Sequence, residues 1–127
     1  MDKATYDKGL AVRTKVLGKT YVDAALADVD EFNGPFQDYL TESCWGAVWG
    51  NDKLPLKTRS MLNLAMIAIL NRPHELKAHL RGALTNGVSR EEIREIFIQV
   101  AAYAGFPAAV DSFRVARELF KEIDAQG

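Results

Sequence analysis

The stretch RPHELKAHLRGALTNGVSREEIREIF, residues 72–97, decides how this chain folds. Pro73 stands where a first helical residue belongs, since it has no amide hydrogen to lose there. Leu76, Leu80, Ala83 and Leu84 follow at three- and four-residue spacing and form one apolar arc. Asn86 and Gly87 close this helix, and Ser89 to Glu92 matches the reciprocal cap that opens another. Ile93, Ile96, Phe97 and Val100 then give the second helix its buried stripe. No run alternates β-branched with polar residues, so the period is helical on both sides of a tight turn.

Working outward, the same period holds. Toward the C-terminus, Gly105 and Pro107 make a break, and Val110, Phe113, Ala116, Phe120 and Ile123 line a last helix. Toward the N-terminus, residues 56–71 are apolar almost all round, which predicts a central helix surrounded by protein on most sides. Gly, Asn, Asp, Lys and Pro gather in 50–55 and predict a connecting loop. Phe36, Tyr39, Leu40, Ala47 and Val48 predict one helix, begun at Pro35 after Asn33-Gly34, and a shorter helix precedes it over 21–29. Tyr6, Leu10, Ala11, Arg13 and Leu17 mark the first helix, with Gly18 as its C-terminal cap. The expectation is an all-α bundle of about six or seven helices.

The chain has 127 residues, 48% of them hydrophobic and 26% charged, which suits a single domain over 1–127 with its own core. Sixteen Lys and Arg against 17 Asp and Glu leave a net charge of −1 without blocks of one sign, so no nucleic-acid footprint is present. The longest apolar run, 61–70, is too short for a membrane span, and the polar start MDKATYDKG lacks a signal-like apolar core. Cys44 is the only cysteine and cannot close an internal disulfide, so a reducing cytoplasm is the expected location.

His74, Glu75 and His79 look like a zinc-protease motif with the second histidine one residue late. Five positions put the two rings about 140° apart around a helix, so they cannot share one metal, and no metal is expected. Arg72, Glu75 and His79 instead fall within roughly 60° of one another and border the apolar arc. An imidazole beside a carboxylate and a guanidinium is suited to handling a proton, and equally to a local ion pair at a helix edge. Arg59, one turn before Asn63, faces either a pocket or solvent. Trp45 and Trp49, four apart, form either packing surface or a ligand wall. Cys44 reads as a small packed hydrophobe.

The segments YDKGLAVRTKVLG, FNGPFQDYLTESCWGAVW, TRSMLNLAMIAILNR, ELKAHLRGALTNGVSREEIREI and YAGFPAA, in this order, resemble the carboxymuconolactone decarboxylase family. The HLRGALTNGVSREEI block alone matches the wider alkylhydroperoxidase-D-like superfamily, whereas FNGPFQ and WGAVW point to its decarboxylase branch. One position departs from the pattern: Val110 follows YAGFPAA where Asn is expected. The resemblance implies an alkylhydroperoxidase-D-like helical bundle, a ring-like homo-oligomer, commonly a hexamer, and cofactor-free loss of carbon dioxide from a dicarboxylate lactone. It also implies roles for the residues above. His79 would be the general acid and hydrogen-bond donor, with Glu75 orienting it or relaying its proton. Arg72 and Arg59 would hold carboxylates, and Trp45 and Trp49 would wall a dry pocket.

Redox members of the superfamily carry two cysteines where this chain has Arg72 and Glu75, so a thiol-linked oxidoreductase is the weaker alternative. A non-catalytic helical oligomer that binds a small acid is a third reading, separated from the first by turnover.

Overall fold

The computed structural model describes residues 1–127 and is helical throughout. In chain order the helices are α1 (Lys3–Leu17), α2 (Lys19–Ala27), α3 (Gly34–Tyr39), a π-helical segment (Leu40–Trp49), α4 (Leu56–Leu70), α5 (Pro73–Thr85), α6 (Arg90–Ala104) and α7 (Phe106–Gln126). No strand is present, and the seven α-helices agree with the expected all-α class. Two compact units are formed, one by Met1–Leu56 and one by Lys57–Gly127.

The first unit is built on a close crossing of α1 with the π-helical segment. A Cβ placed on Gly9 would stand 2.0 Å from the Thr41 carbonyl oxygen, and one on Gly46 would stand 2.3 Å from that of Thr5. Only hydrogen fits at either point. Gly9→Ala should therefore unfold the first unit more easily by about 3 kcal/mol or more, because backbone must move to admit the methyl. A chemical-denaturation midpoint within error of the parent would contradict the crossing. Buried Arg13 reinforces it from α1, donating to Gln37 Oε1 at 3.0 Å and to Thr41 Oγ1 at 3.3 Å. The spacing predicted one ordinary helix through Val48. The structure instead widens the turn after Tyr39 to i→i+5 hydrogen bonding, a distinction apolar periodicity does not make.

In the second unit α4 to α7 share one core. Leu64, Leu76, Leu80, Ile93, Phe97, Val100 and Leu119 lie at its centre. The caps are those the sequence predicts: Ser89 accepts from the Glu92 amide at 3.0 Å while Glu92 accepts from that of Ser89 at 2.9 Å. Gly105, at φ 108°, adopts a conformation other residues rarely take and so ends α6. Asn86 Nδ2 donates to buried Ser60 at 3.0 Å and ties the end of α5 to the start of α4.

One expectation is corrected. Helix α4 buries Ser60, Leu64 and Ala68, but Leu62, Met66, Ile69 and Leu70 are each about half exposed or more. Its all-round apolar character therefore does not reflect enclosure within one chain.

Candidate active site

The candidate residues Arg72, Glu75 and His79 lie at the start of helix α5 and along it, and the helix opens abruptly. Asn71 takes a left-handed conformation at φ 57° and its amide donates to Ala68, which stops α4. Arg72 then sits at the N-cap of α5, with Pro73 at its first turn. The Arg72 guanidinium folds back, and its Nη1 donates to the carbonyls of Leu70 at 3.1 Å and Asn71 at 3.3 Å. Those carbonyls belong to the end of α4, where helical acceptors have no partner of their own and a cation is favoured. Sequence spacing puts Arg72 on one face with Glu75 and His79; the structure turns its charge toward α4.

Glu75 is exposed in the first turn of α5. His79, one turn later, is only 8% exposed, among the buried Leu76, Ala78, Leu80 and Ala83 of its own helix. Burial pushes the imidazole pKa down to about 4 from its ordinary 6.5, because the apolar surroundings disfavour the charged ring. At neutral pH the ring is uncharged and has one N–H to donate. His74 is exposed, so the two histidines lie in different surroundings, as their five-residue spacing requires.

Arg59 is half-buried in the first turn of α4 and immediately precedes Ser60. Trp45 and Trp49 belong to the first unit, and there they stack with ring centroids 4.9 Å apart and planes 26° from parallel. Both are buried, at 3% and 4% exposure. The strongly exposed aromatic side chains are others, Phe32, Phe36, Tyr39, Tyr103 and Phe106. Arg13, the buried cation, was legible only as a charged residue inside the apolar register of α1.

Cys44 is half-buried; burial raises its thiol pKa and outweighs the opposing Arg13 charge. A raised pKa disfavours the thiolate that nucleophilic or redox work needs. No three His, Cys, Asp or Glu side chains converge in the way a metal site requires.

The profile of the carboxymuconolactone decarboxylase family matches residues 34–118. Over 122 residues the chain is 38% identical to a 4-carboxymuconolactone decarboxylase of Acinetobacter baylyi, covering 96% of this chain and 91% of that protein. It is also 36% identical to a nitrosuccinic acid decarboxylase of Metarhizium robertsii over 127 residues, or 100% of this chain and 89% of the relative. A 45-residue match to a 4-carboxymuconolactone decarboxylase of Pseudomonas putida, at 42% identity, covers 35% of this chain and 94% of that sequence.

Proposed function

Because the chain belongs to the carboxymuconolactone decarboxylase family, we propose that it removes carbon dioxide from 4-carboxymuconolactone to give the β-ketoadipate enol-lactone, without a cofactor. The observation that carries this reading in the structure is the buried, uncharged His79 on a helix that opens with Arg72 and Glu75.

The chemistry needs little else. In this substrate the departing carboxylate sits on the ring carbon vinylogous to the lactone carbonyl. As the carbon–carbon bond breaks, its electron pair passes into a dienolate, so the substrate is its own electron sink. The protein must hold a dianion, stabilise charge developing on the lactone oxygen, and protonate the carbon alpha to that carbonyl.

Arg59 and Arg72 would supply guanidiniums for the first task, since each can grip a carboxylate through paired hydrogen bonds; they stand near opposite ends of α4, so each would take a separate carboxylate. Arg72 would exchange its bonds to the α4 carbonyls for the substrate. For the second task the neutral His79 N–H is a suitable donor. The negative charge of bound substrate favours the imidazolium, so His79 takes up a proton with the dianion and delivers it to carbon. Glu75, exposed and one turn before His79 on α5, would relay that proton from solvent.

Purified protein incubated with 4-carboxymuconolactone should release one carbon dioxide per lactone consumed. Neither Cys44→Ser nor exhaustive chelation should change that rate more than a few-fold. Absence of carbon dioxide, or a hundredfold loss in either control, would remove this reading.

We further propose that copies of the chain assemble, in a ring hexamer as the family resemblance suggests, and that they work in the cytoplasm. The half-exposed Leu62, Met66 and Ile69 on α4 support assembly, because apolar surface of this kind is normally covered. No helix is long and apolar enough to cross a membrane.

A further inference from the structure

Between α6 and α7 lies a groove of about 370 Å³ that the decarboxylation does not use. Its two banks each carry a pair of cations one helical turn apart, Arg90 and Arg94 on α6 and Arg117 and Lys121 on α7. Ile93, Phe113 and Phe120 provide apolar floor between them. We propose that this groove binds a small planar organic anion, of the aromatic carboxylate class, with its ring on the phenylalanines and its carboxylates on Arg117 and Lys121.

Charge and shape both favour that occupant. Four cations line the groove against one carboxylate, Asp124, in a protein whose net charge is −1. Two of the four are already engaged. Arg90 grips Asp124 at 2.7 and 3.2 Å and stacks 4.4 Å above the Phe120 ring, and Arg94 pairs with Glu95 at 2.9 Å. The acids of α7 that could neutralise the others turn elsewhere: Glu118 and Glu122 bind Lys77, and Asp111 binds Arg114. Arg117 and Lys121 therefore bring two positive charges to the far bank, and two charges four residues apart suit two carboxylates.

The floor distinguishes this groove from a merely basic surface. Phe113 is 38% exposed, packed edge-on against buried Phe97 at 5.7 Å, so its ring is held in place with one side open. Arg90 over Phe120 already shows that cationic and aromatic groups stack here. A volume near 370 Å³ lies in the lower part of the range for small-molecule sites.

The test is a titration with phthalate, read from isoleucine methyl resonances, in which Ile93 reports the groove floor. The Ile93 signal should shift saturably at or below about 1 mM phthalate. Benzamide, equally aromatic but neutral, should shift it little, and inorganic phosphate, charged but without a ring, should compete weakly. Arg117→Gln with Lys121→Gln should weaken phthalate at least about tenfold, since two charge-assisted contacts are lost. Both side chains are exposed, so the double variant should keep its helicity and its carbon dioxide release.

The proposal is overturned if Ile93 does not respond, if the double variant binds phthalate as well as the parent, or if benzamide or phosphate equals phthalate. It is also overturned if the double variant changes the oligomeric state, which would make the groove an interface between copies. None of these outcomes bears on decarboxylation, which is measured separately.

Discussion

His79→Gln should lower kcat for 4-carboxymuconolactone by about 10²–10⁴-fold, the usual contribution of a positioned general acid, with KM changed little. Glutamine keeps a hydrogen-bond donor of similar reach but cannot transfer a proton. The free-enzyme pH profile adds a second check. With a pKa of about 4, His79 is uncharged throughout the neutral range, so kcat/KM should show no break near 6.5 from this ring. Proton uptake should instead accompany binding of a dianionic substrate analogue, and His79→Gln should abolish it. In deuterated water the parent should place one deuterium, in one configuration, at the carbon alpha to the lactone carbonyl. If His79→Gln turns over at the parent rate with the same labelling, the proton comes from elsewhere, and Glu75→Gln becomes the informative variant.

The same imidazole should make the protein sensitive to mild acid. Its folded pKa is about 4 and its ordinary value 6.5, so between these limits the unfolded chain binds a proton that the folded chain refuses. Stability is therefore complete above about pH 6.5, falls as pH drops toward 4, and loses no more from this group below that. The full difference corresponds to about 3 kcal/mol, and the ring is buried enough for little of it to be screened. Carboxylates held low by their partners, such as Glu92 by the Ser89 amide and Asp124 by Arg90, lose their contributions at lower pH. Urea unfolding at pH 7, 6 and 5, at one fixed protein concentration, should show the decline, and His79→Gln should remove most of it. A variant that declines as steeply as the parent would place the proton-sensitive group elsewhere.

How much of this could be read in advance depends on how local each feature is. The Ser89–Glu92 cap, the Gly18 and Gly105 stops and Pro73 at a helix start are decided by a few consecutive residues, because each concerns amides and torsions within one turn. The place of His79 at the border of an apolar arc was also legible, but Arg72 and Glu75 share that border and are exposed, so the depth of its burial was not. The sequence did not place the Arg72 guanidinium. Spacing gives the direction of its Cα–Cβ bond, but a long side chain goes where acceptors are, and the Leu70 and Asn71 carbonyls become available only once Asn71 has ended α4.

Other features depended on what another element brings up. Gly9 and Gly46 look ordinary in their own helices, and their necessity appears only when α1 and the π-helical segment cross at backbone distance. Arg13 sits in an apolar register for a reason held by Gln37 and Thr41, more than twenty residues away. Likewise the Arg90–Arg94 and Arg117–Lys121 pairs are unremarkable solvent-facing turns until α6 and α7 pack side by side and set them on opposite banks of one groove. The sequence by itself determined the all-helical class, the capped helix ends and the family, though not the π-helical turn after Tyr39, because capping and apolar period are properties of neighbours along the chain. Only the tertiary structure decided which charges are buried, which are turned aside and which face each other, because the cost of a charge is set by the groups around it in space.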